Sequence, residues 1–132
     1  MKYTFSLELQ ELTSEIAKTL FPHVDMTRVK CFVSSGSSTR RTIARCHTIG
    51  KLMQKTIGVS AHYGIEFIDK TFNKLPEDEK IKVIIHELMH IPKTFGGGFR
   101  QHDFVCEKNV KEMYKTYVNL KTNKTSFLNK FF

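Results

Sequence analysis

A His-Glu-x-x-His motif, formed by His86, Glu87 and His90, constrains this chain more than any other feature. If the motif lies on a helix, His86 and His90 are one turn apart on one face and can present two imidazole nitrogens to one metal ion. Glu87 then lies about 100° around the helix, where its carboxylate can reach a water on that metal but is poorly placed to bind the metal itself. Two imidazoles and a neighbouring carboxylate are the groups that a zinc-dependent hydrolase needs.

The residues around the motif predict a helix over residues 75–91. Pro76 suits a first helical turn, and Pro92 ends the helix. The apolar side chains form a stripe between about 160° and 260° from His86, whereas His90 lies at about 40°, beside His86. The histidines therefore point away from the predicted core, although two surface histidines on an amphipathic helix are the simpler alternative. The residues that carry the start of the helix and its apolar stripe are Glu77, Asp78, Glu79, Ile81, Ile84, Ile85 and Leu88.

A catalytic zinc usually has three protein ligands, so His86 and His90 need a third. Glycines 96–98 can reverse the chain after the helix, and His102 is the first suitable ligand beyond them. Glu107 is the second candidate, and Asp103 and Cys106 are weaker ones.

A tetrahedral oxyanion usually requires a further hydrogen-bond donor. Tyr63, Arg100 or the backbone of the glycine segment could supply it, and the sequence does not choose between them.

Hydrophobic spacing predicts a helix over residues 6–20 and another from residue 102 to about residue 120. Residues 28–33 and 61–68 read as strands, the second of which could be a sheet edge that pairs with an extended peptide. Residues 40–57 are ambiguous: a helix over 49–56 is favoured, and 42–48 could be a short strand. The prediction is one domain over residues 1–120 and a Lys-rich tail over 121–132, with Phe127 and Phe131 as candidates for docking onto the domain.

Composition predicts the location of the protein, the state of its cysteines and the class of its partners. A chain of 132 residues without a long apolar run or an N-terminal apolar segment predicts a cytoplasmic protein that does not enter a membrane. Its three cysteines show no Cys-x-x-Cys spacing, as expected for reduced thiols. The net charge of +8 favours nucleic acid as a partner, although a solvated Lys-rich surface explains the same charge.

Residues 82–93, continuing through residues 96–103, resemble the putative phage-type metallopeptidase family and, more broadly, the SprT-like minimal zincins. The resemblance implies an α+β, zincin-like domain in which a small mixed sheet packs against the helix that carries the motif. It also implies one Zn²⁺ per chain and hydrolysis of peptide bonds in a protein or peptide substrate. The step from His90 to His102 is longer than in metzincins, and the chain carries no additional zinc ribbon.

The leading hypothesis is therefore a zinc metallopeptidase in which Glu87 is the general base and His86, His90 and His102 bind the metal. The alternative is a degenerate zincin that uses zinc structurally and binds nucleic acid through its basic surface. An intact Glu87 argues against the alternative, because a structural metal site needs no base.

Overall fold

The computed structural model describes the backbone of residues 1–131 and the side chains of residues 1–123, and within these residues the protein has an α+β fold. A mixed four-stranded sheet is combined with five α-helices and one short 3₁₀ helix. The strands are β1 (Lys2–Phe5), β2 (Val29–Ser35), β3 (Ala44–Thr48) and β4 (Tyr63–Ile68). The helices are α1 (Leu7–Leu20), α2 (Lys51–Ile57), α3 (Asp69–Phe72), α4 (Glu77–Met89) and α5 (Glu107–Phe131), and the 3₁₀ helix spans Met26–Arg28.

The sheet has the strand order β1-β2-β4-β3. Strands β2 and β4 run parallel, whereas β1 and β3 pair antiparallel with β2 and β4 respectively. Cys31, Ile65 and Cys46 are in register across three strands. Because side chains alternate along a strand, this row faces one side of the sheet and the neighbouring row, Phe32, Glu66 and Arg45, faces the other.

The main core lies between the sheet and helices α1 and α4. Ile16 of α1, Ile65 of β4 and Ile85 of α4 are all fully buried and belong to one hydrophobic cluster. Helix α5 packs against α1 and α4, and its Tyr117 is 1% exposed. This packing fixes one side of α4 against the sheet. The opposite side of that helix lies outside the core.

Strand β4 is an inner strand, so the prediction that residues 61–68 form a sheet edge is wrong. It lies between β2 and β3, and five of its six residues are buried. A nearly continuous apolar run is typical of a strand that is covered on both faces. The edge strand beside the motif helix is instead β3, within the segment that the sequence left ambiguous.

The bounds of the other helices and strands match the predicted ranges to differing degrees. Helix α1 begins one residue later than predicted, with the Ser6 hydroxyl accepting a hydrogen bond from the Leu9 backbone N–H at 3.2 Å. The sequence predicts no strand before residue 28, yet β1 precedes α1, and its Phe5 has 45% of its surface exposed. Helix α2 matches the predicted helix over residues 49–56 within two residues.

Helix α4 is shorter than predicted, and α5 is longer. Helix α4 spans Glu77–Met89, with Pro76 at its N-cap and His90 at its C-cap. Helix α5 begins at Glu107, five residues after the predicted start, and extends to Phe131, past the predicted end near residue 120. The predicted docking of Phe127 and Phe131 concerns side chains outside the described residues, and the division into a domain and a tail at residue 120 stays a prediction. None of the helices in the described part of the chain is both long and apolar enough to span a membrane.

Candidate metal centre

Helix α4 carries the first two histidines on the side that turns away from the core. Ile84, Ile85 and Leu88 are fully buried, whereas His86 and His90 are half-buried. His90 lies at the C-cap but keeps helical backbone angles, with φ −68° and ψ −20°, so the two imidazoles remain one turn apart.

The segment after α4 folds back over the helix end, as the three glycines predicted. Gly97 has φ +100° and Phe95 has φ +47°, both in the left-handed region. A Cβ on Gly97 would lie 2.6 Å from the Ile49 carbonyl oxygen and would also meet the side-chain amide of Gln54. Only glycine fits this position without a shift of the backbone.

Two polar side chains hold this glycine segment. The Tyr63 hydroxyl donates to the Gly98 carbonyl at 2.9 Å and accepts from the Gly97 N–H at 3.0 Å. The Gln54 amide donates to the Gly96 carbonyl at 3.0 Å. Strand β4 and helix α2 thus position the return of the chain toward α4.

The return brings His102 next to the two histidines of α4. His86, His90 and His102 each offer a ring nitrogen, and these atoms lie within 4.8 Å of one another. Two nitrogens bound to one tetrahedral zinc lie about 3.4 Å apart, given Zn–N bonds of about 2.0–2.1 Å. The three side chains could therefore hold a metal ion.

The other candidate ligands lie outside this cluster. The Glu107 side chain is 83% exposed and forms an ion pair with Lys111 at 3.1 Å. Asp103 is exposed and accepts a hydrogen bond from the Phe104 backbone N–H, and Cys106 is partly exposed. The geometry therefore favours His102 as the partner of the two motif histidines.

A backbone carbonyl orients one of the imidazoles. His90 Nδ1 lies 2.9 Å from the Arg100 carbonyl oxygen, so Nδ1 carries the proton and donates it. The Nε2 lone pair of His90 then remains free to bind a metal. Burial, followed by the nearby His90 and His102, lowers the pKa of His86, which keeps this imidazole neutral and able to act as a ligand.

Glu87 is a buried carboxylate beside the histidines. Only 5% of its surface is exposed, and this burial raises its pKa to about 7. With His86 it lines a cleft of about 350 Å³ that includes all three histidines, and also a larger cleft of about 770 Å³. A carboxylate with a pKa near neutrality can exchange a proton in either direction at physiological pH.

The two predicted substrate contacts differ in their availability. The Tyr63 side chain is 3% exposed, and its hydroxyl already bonds to Gly97 and Gly98. The Arg100 guanidinium stacks 3.4 Å from the centre of the Phe104 ring, and Arg100 lines the histidine cleft. Both side chains are therefore engaged with other parts of the protein, and a contact of either one with substrate stays a prediction.

Sequence reasoning missed three residues that shape the site. Ala44 and Cys46 of β3 line the histidine cleft, and Gln54 of α2 holds the glycine segment. The alternation of residues 42–48 was a signal for β3, but nothing in the sequence indicated that Gln54 would reach a loop 42 positions later.

Comparison with known proteins agrees with this geometry. No curated protein and no solved structure matches the chain significantly. The family model described as putative phage metallopeptidase matches residues 1–125, which is nearly the whole chain. The chain therefore belongs to the putative phage metallopeptidase family.

Proposed function

We propose that the protein is a zinc-dependent metallopeptidase that hydrolyses peptide bonds, with Glu87 as the general base and His86, His90 and His102 as zinc ligands. The convergence of three imidazoles beside a buried carboxylate carries this proposal. A site of three neutral imidazoles suits zinc and leaves one position open for chemistry.

Bound zinc would acidify a water molecule and polarise the substrate carbonyl. Glu87 accepts the proton of the attacking water and then passes it to the leaving nitrogen as the peptide bond breaks. Burial prepares Glu87 for this exchange by raising its pKa to about 7. A nearby metal cation would lower the pKa of Glu87 and favour its ionised, proton-accepting form.

The free edge of β3 offers a track for an extended peptide. The Ile68 backbone N–H donates to the Ile43 carbonyl at 2.9 Å, which makes these residues a hydrogen-bonded pair. Along an antiparallel strand the bonding direction alternates, so the backbone groups of Ala44 and Cys46 point away from β4. A peptide that pairs with this edge runs beside His86 and Glu87, because Ala44 lines both clefts with them.

Arg100 is the proposed contact for the negative charge that develops on the carbonyl oxygen. It borders the histidine cleft, and its guanidinium carries donors that suit an oxyanion. Tyr63 could serve only if its hydroxyl left the backbone of the glycine segment.

The replacement Glu87→Gln tests the proposal. The amide keeps the shape of the side chain but cannot accept the proton, so cleavage of a protein substrate should fall by about 10²–10⁴-fold. Zinc content, measured by elemental analysis, should stay at one ion per chain. Wild-type cleavage rates in the variant would refute the assignment of the base, and absence of zinc from the wild-type protein would refute the enzyme.

The second candidate function is a zinc-stabilised protein that binds nucleic acid and does not cleave peptides. The net charge of +8 favours it. Against it, Arg45 lies 3.7 Å from the buried carboxylate of Glu66, so this cation is partly engaged within the protein. This candidate requires DNA or RNA binding that weakens steeply with salt, together with no cleavage by the zinc-loaded protein.

A further inference from the structure

A pocket of about 550 Å³ lies where the ends of α1 and α4 meet helix α5 and the chain that follows the glycine segment. Met89 and Met113 line it, and we call it the methionine pocket. Among the described residues it shares only Arg100 with the histidine cleft, and neither His86 nor Glu87 lines it. The methionine pocket is therefore separate from the candidate metal centre.

Most of the lining of the methionine pocket is apolar. Met89 of α4 is 1% exposed and forms part of the floor, whereas Leu20 of α1 and Met113 of α5 are half-buried and reach the surface. Because the methionine side chain is unbranched and flexible, such a wall adapts to the shape of an apolar guest. The volume is within the range of about 300–1,000 Å³ that is typical of ligand sites. The large apolar side chains of the lining are Leu20, Phe21, Met89, Ile91, Phe104 and Met113.

Hydrogen bonds fix the wall of the pocket. His23 Nε2 lies 3.0 Å from the Ile91 carbonyl oxygen and joins the chain after α1 to the end of α4. The Asn109 side-chain amide donates to the Phe104 carbonyl at 2.8 Å and holds the other side of the pocket against α5. A guest therefore enters a largely preformed site, which lowers the entropic cost of binding.

The polar part of the lining is positively charged. Lys93 is exposed and Arg100 is partly exposed, and the ion pairs among residues 1–123 include neither of them. The Arg100 guanidinium lies 3.4 Å from the centre of the Phe104 ring. This stacking uses the flat face of the guanidinium and leaves the N–H donors at its edge for a carboxylate. No carboxylate of the described residues lines the pocket, so an anion meets attraction there and no opposing charge.

We infer that the methionine pocket binds a free medium-chain fatty acid, with the apolar tail against Met89 and Met113 and the carboxylate at Lys93 and Arg100. An apolar floor with two cations nearer the surface matches a molecule that is apolar at one end and anionic at the other. A concave site of this kind suits a single chain better than the flat surface of a membrane. The inference is independent of the proposed peptidase function, because it concerns binding at a different site.

The test is a titration of full-length, zinc-supplied protein with octanoate, followed by NMR of ¹³C-methyl-labelled methionine. Of the five methionines, Met89 and Met113 line the pocket, whereas Met53 is 49% exposed on α2 and does not. We expect the methyl signals of Met89 and Met113 to shift in a saturable manner and that of Met53 to stay in place. Acetate carries the same head group without the tail, and octylammonium carries the same tail with the opposite charge, so both should bind far more weakly.

Affinity should follow the length of the tail and the charge of the pocket. Decanoate should bind about 16-fold more tightly than octanoate, because each added CH₂ contributes about fourfold. Lys93→Glu should weaken octanoate binding by about tenfold or more. Lys74→Glu is its matched control, since Lys74 is also exposed but does not line the pocket, and it should change nothing.

A second pair of variants tests the volume of the pocket. Met113→Phe places a larger ring in it and should weaken octanoate binding, whereas Val118→Phe, at a residue of α5 outside the pocket, should not. If Met113→Phe does not fold, the Lys93→Glu pair still decides, because it alters only an exposed side chain. Shifts of equal size with acetate would mean that the carboxylate binds at the metal and would overturn the inference. Equal affinity for octylammonium, wild-type affinity in Lys93→Glu, or unmoved Met89 and Met113 signals would overturn it as well.

Discussion

His90 Nδ1 lies 2.9 Å from the carbonyl oxygen of Arg100, and the Arg100 backbone N–H donates to the His90 carbonyl at 2.7 Å. These two bonds join the end of the motif helix to the far end of the glycine segment. One of them orients the imidazole and the other fixes the backbone from which His102 follows two residues later. The geometry of the third candidate ligand therefore depends on the fold of the loop as much as on the helix.

Removing His102 should abolish tight metal binding, whereas removing Glu107 should not. His102 belongs to the three-histidine cluster, but Glu107 lies outside it and pairs with Lys111. In His102→Ala we expect zinc affinity to fall by more than about 100-fold, since loss of a ligand costs more than loss of the group that orients it. Metal titration monitored by elemental analysis checks this, with Glu107→Ala as the control. Retention of zinc by His102→Ala and its loss from Glu107→Ala would reverse the assignment.

Gly97→Ala should weaken both the fold and the metal site. A methyl group at φ +100° is strained and would press on the Ile49 carbonyl, which is 2.6 Å away. We expect the free energy of unfolding to drop by about 1–3 kcal/mol, measured by urea denaturation, and zinc affinity to drop with it. Gly98→Ala is the matched control, because a Cβ there meets no atom within 4 Å. Equal unfolding free energies and zinc affinities in the two variants would mean that the loop accommodates a side chain at Gly97.

Tyr63→Phe should loosen the glycine segment while leaving the ring in place. The lost hydroxyl leaves the Gly97 N–H and the Gly98 carbonyl without their partner, at a cost of about 1–3 kcal/mol in unfolding free energy. Zinc affinity should fall in the same variant, while Tyr3→Phe, at a residue that is 57% exposed, should change neither quantity. A loss of turnover with unchanged stability and zinc affinity would instead favour a direct contact with substrate.

The stability of the metal-free protein should depend on pH through Glu87. Burial raises the pKa of Glu87 to about 7 from its ordinary value of 4.5, so the folded state binds the proton more tightly than the unfolded state. Glu87 therefore contributes stability that is present below pH 4.5 and is lost as the pH rises through 7. With a chelator present, Glu87→Gln should be more stable than wild type at pH 8 by up to about 3 kcal/mol, and this advantage should shrink at pH 5. Urea denaturation at both pH values checks this, and a difference that does not vary with pH would contradict it.

The sequence predicted which three histidines lie together better than it predicted the strands around them. The histidines of the motif and His102 were found because helical spacing and a glycine reversal are local signals, carried by neighbouring residues. The apolar stripe on α4 predicted correctly which side of that helix enters the core.

Long-range relationships escaped the sequence for physical reasons. The prediction of an edge strand over residues 61–68 rests on their position just ahead of the motif helix. The sequence does not show that His47 at 2.9 Å and Arg45 at 3.7 Å lie beside the buried carboxylate of Glu66. Which strand then becomes the edge depends on the crossover between β2 and β4, and no local pattern encodes that order. The Gln54 and Tyr63 bonds to the glycine segment likewise join residues far apart in the chain.

An ion at the three histidines would be coupled to the conformation of the chain through the glycine segment. His102 follows this segment and the other two histidines precede it. An ion coordinated by all three would therefore close a loop through the intervening residues. Binding of the ion and ordering of the loop are then coupled in one equilibrium. Part of the free energy of metal binding therefore stabilises the folded loop. Loss of an ion from this site would therefore open the loop to proteolysis before the sheet unfolds, so the ion would govern the lifetime of the protein.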